Sequence, residues 1–204
     1  MMLMIKKSLA GFILLIVMSS YAFGTGKVVF IGDSLTEGYG IEKKFSYPQL
    51  VQNKILKDGL NYKVINGGVS GSTTASGESR LKWFLKGKVD IMVLALGAND
   101  GLRGIKVAES EKNLSKVIEL AQKNNVKVIL AGMQIPPNYG KEYTENFKSI
   151  YPRLAAKYKV PLIPFIIKGV AGKRELNISD GIHPNKDGHR IISETVYKHL
   201  KEIL

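Results

Sequence analysis

The chain has no cysteine among its 204 residues. That excludes disulfides, thiolate metal sites and a cysteine nucleophile, and it removes the usual lipid attachment point of a bacterial lipoprotein. Histidine is scarce: the three are His183, His189 and His199, and no H-E-x-x-H spacing links them, which argues against a zinc site. Arginine is scarce as well. Only Arg80, Arg103, Arg153, Arg174 and Arg190 offer the fork suited to bidentate recognition of phosphates and bases, while the lysines are scattered along the chain. A net charge of +13 is therefore read as a solvated surface with weak attraction to anionic lipid, and nucleic acid is not an expected partner. There is no internal repeat, low-complexity tract or interdomain linker, and this length suits one substantial core.

Long apolar runs are absent with one exception, residues 9–18. Lys6 and Lys7 precede that run, and Ser20-Tyr21-Ala22 follows it with small residues at the two positions a signal peptidase reads. The run is shorter than the ~17–25 residues that span a bilayer, so it is read as a cleavable export signal over 1–22 rather than an anchor. The expected location is the periplasm or beyond, with one domain over 23–204.

What the chain does have is a regular alternation. Short apolar runs at about 27–31, 62–65, 90–95, 126–131 and 160–163 predict strands, and 47–57, 76–85, 108–124, 143–158 and 187–203 show helical spacing of apolar residues. Runs such as Ile91-Met-Val-Leu-Ala-Leu96 are apolar on both faces, as parallel strands covered by helices are. The expected fold is α/β, a three-layer α/β/α sandwich around a five-stranded parallel sheet. In such sheets the functional crevice lies beyond the carboxyl ends of the strands, which is where the glycine and polar clusters of this chain fall.

The first of these clusters, Gly32-Asp33-Ser34-Leu35, follows an apolar β-branched run and makes Ser34 the candidate nucleophile. A serine hydroxyl needs a base, an orienting group for that base and an oxyanion site. Asp180 and His183 lie three residues apart, close enough for a carboxylate–imidazole bond that turns Nε2 outward as a base; the rival reading is capping of the last helix. Candidate oxyanion donors are the Ser34 and Gly71 backbone N–H groups and the Asn99 side-chain amide. Asp33 and Asp100 are expected to hold backbone N–H groups of their loops. His189 and His199 are expected to be surface or packing residues, and Trp83 a packing residue. Leu102, Ile105, Ile135 and Pro136 are expected to wall an apolar acyl groove.

Gly32-Asp33-Ser34-Leu35, Gly71, Gly97-x-Asn99-Asp100 and Asp180-x-x-His183-Pro184 together resemble the four sequence blocks of the SGNH (GDSL) hydrolase superfamily, in order. The stretches 135–140, 147–152 and 160–165 extend the likeness to the thioesterase I / lysophospholipase L1 / arylesterase subfamily over about 27–200. The resemblance implies a flavodoxin-like sandwich, Ser34 as nucleophile, His183 as general base and acid, and Asp180 as its orienting partner. It further implies Ser34, Gly71 and Asn99 as the oxyanion hole, no metal or organic cofactor, and a lipid-like ester or thioester as substrate. Ser72-Thr73 stands after Gly71 where many relatives have Asp-Thr. Within the superfamily, acetyl esterases of carbohydrates are the enzymatic alternative; a non-catalytic lipid-binding or adhesion protein is the alternative of another class. The absence of a G-x-S-x-G elbow around Ser34 sets the chain apart from ordinary α/β-hydrolases.

Overall fold

The computed structural model describes residues 25–204. The segment read as an export signal, and the boundary expected after it, lie outside the described residues. Five strands, β1 (Gly26–Gly32), β2 (Tyr62–Gly68), β3 (Ile91–Ala95), β4 (Lys127–Ala131) and β5 (Leu162–Ile163), form one parallel sheet in the order β2-β1-β3-β4-β5. This is the doubly wound order in which the chain reverses direction between β1 and β3, the place where a crevice opens at the carboxyl edge.

The alternation in the sequence has a direct physical counterpart. Val28, Val29, Phe30 and Ile31 are all 0 % exposed because β1 is central and covered on both faces. Each such side chain adds about 1.5–3 kcal/mol of burial free energy. Helices α2 (Tyr47–Lys57) and α7 (Lys186–Lys201) pack together, while α3 (Gly77–Phe84), α5 (Val107–Lys123) and α6 (Lys141–Tyr158) pack in succession as the other layer. In α5 the buried residues Ser110, Leu114, Val117, Ile118 and Ala121 follow helical spacing and form its single inward face. The chain leaves α6 through Lys159 in the left-handed conformation, which sends it sharply back towards β5.

Two short helices that the apolar spacing does not announce, α1 (Ser34–Glu37) and α4 (Ala98–Leu102), sit directly after β1 and β3. They turn the chain at the carboxyl edge. Gly97, which precedes α4, has φ +125°, and a Cβ there would fall 2.2 Å from the Tyr151 hydroxyl, whose hydrogen bond to the Leu96 carbonyl at 3.1 Å fixes this corner. Expected strand ends differ most at β2, whose pairing with β1 runs on to Gly68 past the expected end at 65; β5 starts at Leu162 rather than at 160 and ends at Ile163 as expected.

Candidate active site

The nucleophile position is built by a strand, a cap and a stop. β1 delivers Asp33, which caps α1 by accepting the Leu35 N–H at 3.0 Å, and Gly38 ends the helix in the left-handed conformation after a single turn. Ser34 is therefore the first helical residue at the carboxyl end of a rigid central strand. Asp33 is 1 % exposed and its second carboxylate oxygen has no partner. Burial raises its pKa to about 6, against the opposing pull of the Leu35 N–H bond, of a protonated His183 and of the Arg80 charge.

The loop from β5 to α7 brings the other two groups. Asn177 and Pro184 bridge antiparallel, and Ile178 N–H donates to the His183 carbonyl at 2.8 Å, so residues 178–183 form a closed loop. Inside it, Asp180 Oδ1 accepts the N–H groups of Ile182 (2.8 Å) and His183 (2.9 Å). His183 Nδ1 lies 2.6 Å from Asp180 Oδ2, and His183 Nε2 lies 2.9 Å from Ser34 Oγ. Desolvation pushes the Asp180 carboxyl up, but the bonds from His183 and Ile182 outweigh it and bring the group down to about 2. An ionised Asp180 accepts a hydrogen bond from Nδ1–H and so keeps the proton on Nδ1, which leaves Nε2 as the acceptor facing the serine hydroxyl. The capping of α7 falls instead to Asn185, whose side chain accepts from the N–H groups of Asp187 and Gly188.

Gly71 and Asn99 come from the loops after β2 and β3. Gly71 has φ +76°, and the turn around it is closed by the Ser72 N–H to the Val69 carbonyl at 3.2 Å. One N–H of the Asn99 amide goes to the Ser72 carbonyl at 3.0 Å, so the two loops are joined beside the serine's. Asp100, 1 % exposed, binds them from below. It accepts Thr74 N–H at 2.9 Å, Thr74 Oγ1–H at 2.5 Å and Ser110 Oγ–H at 3.1 Å. Glu37, at the end of α1, accepts both the N–H and the hydroxyl of Ser70. Among the described residues no group of three or more His, Asp or Glu is placed to hold a metal ion.

The expected groove wall is placed unevenly. Leu102 is 38 % exposed, Pro136 is exposed and Ile105 half-buried, but Ile135 keeps only 8 % of its surface and packs under Gly101, in the core. Ile135 is thus a floor beneath α4 rather than a wall. Trp83 is corrected in the opposite sense: it is 65 % exposed, edge-on to Phe84, and not a core residue. His189 is buried, as a packing residue would be. Sequence reasoning missed Tyr39, whose ring lies 4.7 Å from that of His183 and is half exposed. Its signal was the Gly38-Tyr39-Gly40 triplet, which holds an aromatic between two residues that allow positive φ.

The profile of the GDSL-like Lipase/Acylhydrolase family matches residues 30–191. The chain belongs to that family. It is 37 % identical over 193 residues to the arylesterase of Vibrio mimicus, covering 94 % of this chain and 96 % of that one. It is 34 % identical over 194 residues to thioesterase 1/protease 1/lysophospholipase L1 of Escherichia coli strain K12, covering 95 % and 92 %. Among solved structures, that of TesA superposes with a TM-score of 0.84 at 36 % identity, covering 87 % of this chain and 99 % of the other. This member of the GDSL-like family is accordingly an SGNH ester hydrolase with the sandwich fold described above.

Proposed function

We propose that this ester hydrolase acts on lipid-like acyl esters or thioesters through an acyl-Ser34 intermediate. The observation that carries the reading is the unbroken line from Asp180 to His183 at 2.6 Å and from His183 to Ser34 at 2.9 Å. Ser34 Oγ attacks the acyl carbonyl carbon as His183 Nε2 takes its proton, and the carbonyl oxygen becomes an oxyanion. The Ser34 and Gly71 N–H groups and the Asn99 amide receive that charge. His183 then protonates the leaving alcohol or thiol as the carbonyl re-forms, leaving acyl-Ser34. Water adds in the second step with His183 again as base, and the acid and the free serine are released.

The substrate class follows from the rim. Of the seven large apolar side chains exposed among the described residues, Tyr39, Val69, Leu102, Tyr139 and Ile182 all stand in the segments that follow the carboxyl ends of the strands, Leu102 at the end of α4. Apolar surface gathered at one end of a monomer marks a binding site. It suits a medium or long acyl chain lying across the mouth, and the surplus of lysine favours transient contact with an anionic lipid surface. The export signal read from the sequence over 1–22 supports a reaction in the periplasm or outside the cell. The test is hydrolysis of p-nitrophenyl esters from acetyl to palmitoyl, with sedimentation on phosphatidylglycerol vesicles. The reading expects a rate maximum at medium or long chains and salt-sensitive vesicle binding. A maximum at acetyl overturns the lipid substrate, and no binding at low salt overturns the surface contact.

A further inference from the structure

Arg80 is the half-buried guanidinium of α3, and it has no carboxylate ion-pair partner among the described residues. Its Nη1 donates to the Gly32 carbonyl at 2.8 Å and its Nη2 to the Gly67 carbonyl. Those carbonyls belong to neighbouring parallel strands: Gly32 ends β1 and is followed by Asp33-Ser34, and Gly67 lies at the end of β2 on the way to Gly71. The Gly32 carbonyl also accepts the Val69 N–H at 3.2 Å, so the clamp reaches the β2 loop itself. A planar fork with fixed donor spacing can span two carbonyls in a way that a single ammonium cannot.

We propose that Arg80 is a positioning residue for the ester-hydrolysing site: its fork fixes the end of β1 against the end of β2, and with them the spacing of the Ser34 and Gly71 amides, while its charge sits on the carbonyl of Gly32, the residue before the buried cap Asp33. The inference rests on the acyl-serine reading for what the two amides do. The geometry explains why an arginine is kept half-buried without a counter-carboxylate: the partners it serves are backbone acceptors. Burial lowers the Arg80 pKa, and Asp33 acts the other way. The groups that act on Asp33 come from four elements. They are Arg80 on α3, His183 before α7, and the buried phenols Tyr47 on α2 and Tyr151 on α6; of these only Arg80 is permanently positive, His183 adding charge only as the imidazolium.

The experiment compares Arg80→Met, which removes fork and charge, with Arg80→Lys, which keeps the charge alone. Turnover of a short p-nitrophenyl ester is measured beside the titration of the Asp33 carboxyl by 13C NMR. Displacing two donors by a fraction of an ångström is expected to lower kcat of Arg80→Met on the order of 10- to 100-fold, with KM changed by less than about twofold. The Asp33 titration should move to higher pH in Arg80→Met and return in Arg80→Lys, which recovers only part of kcat. Wild-type kcat per folded molecule in Arg80→Met, or in Arg80→Lys should the first variant not fold, overturns the role of the fork. An Asp33 titration that is unmoved in Arg80→Met overturns the role of the charge. A wild-type protein without esterase activity would instead contradict the acyl-serine reading, and the NMR titration would still report on Arg80.

Discussion

Asn99 commits one amide N–H to the Ser72 carbonyl, which orients the side chain and leaves the second N–H for the oxyanion of the proposed mechanism. A donor already held in place loses no freedom when charge develops on the substrate, and that is the source of its effect. Asn99→Ala is expected to lower kcat by about 10²–10³-fold while the far-ultraviolet circular dichroism stays that of the wild type. An undiminished kcat would remove Asn99 from the oxyanion site. At this scale the sequence was informative where chemistry dictates residue type and spacing, as with Ser34 and the Asp180–His183 pair. It was uninformative where the outcome depends on who packs above whom. Ile135 and Trp83 are both large and apolar, yet one lies beneath α4 and the other points into solvent. Arg80 left no signature, because binding two backbone carbonyls demands no partner residue that a sequence would display.

At the scale of elements, α7 couples the site to the core. His189, one turn into α7 and 1 % exposed, accepts the Tyr47 N–H on Nδ1 at 3.2 Å and stacks on the Tyr47 ring; its Nε2 has no partner. Burial, with a protonated His183 behind it, lowers its pKa from 6.5 to about 4. The unfolded chain therefore takes up this proton first, so the His189 contribution is full above pH 6.5 and is lost as pH falls towards 4. Asp33 acts in the opposite sense. Its raised value means that the folded protein binds the proton more tightly, and stability is gained as pH falls from about 6 to 3.8. The two partly cancel in the wild type, and His189→Gln separates them. Melting temperatures of the variant measured from pH 7 to 4 should rise relative to the wild type as pH falls; a constant difference would show that His189 does not titrate in this range. The elements themselves were largely legible, because covered parallel strands and amphipathic helices impose periods of their own. The exceptions were α1 and α4, single turns too short to show a period, and these are the elements that carry Ser34 and Asn99.

Across the whole molecule, the strand order decides which loops meet. With β1 between β2 and β3, the loops holding Ser34, Gly71 and Asn99 leave adjacent strands, and the long loop after β5 closes over them with Asp180 and His183. That assembly also gathers five of the seven large apolar side chains exposed among the described residues at one end of a lysine-rich chain. The β-α alternation announced such an edge in advance; the closeness of Tyr39 to His183 was not legible, because two distant loops have to meet to produce it. The proposed mechanism has Ser34 alone carry the acyl group. Its most direct test is reaction of the purified protein with diethyl p-nitrophenyl phosphate, with peptide mass mapping of the adduct and residual ester hydrolysis measured on the same sample. The account predicts a single phosphoryl adduct on Ser34, loss of hydrolysis in proportion to labelling, and neither in Ser34→Ala. Labelling at another residue, or hydrolysis that persists undiminished in Ser34→Ala, would contradict it.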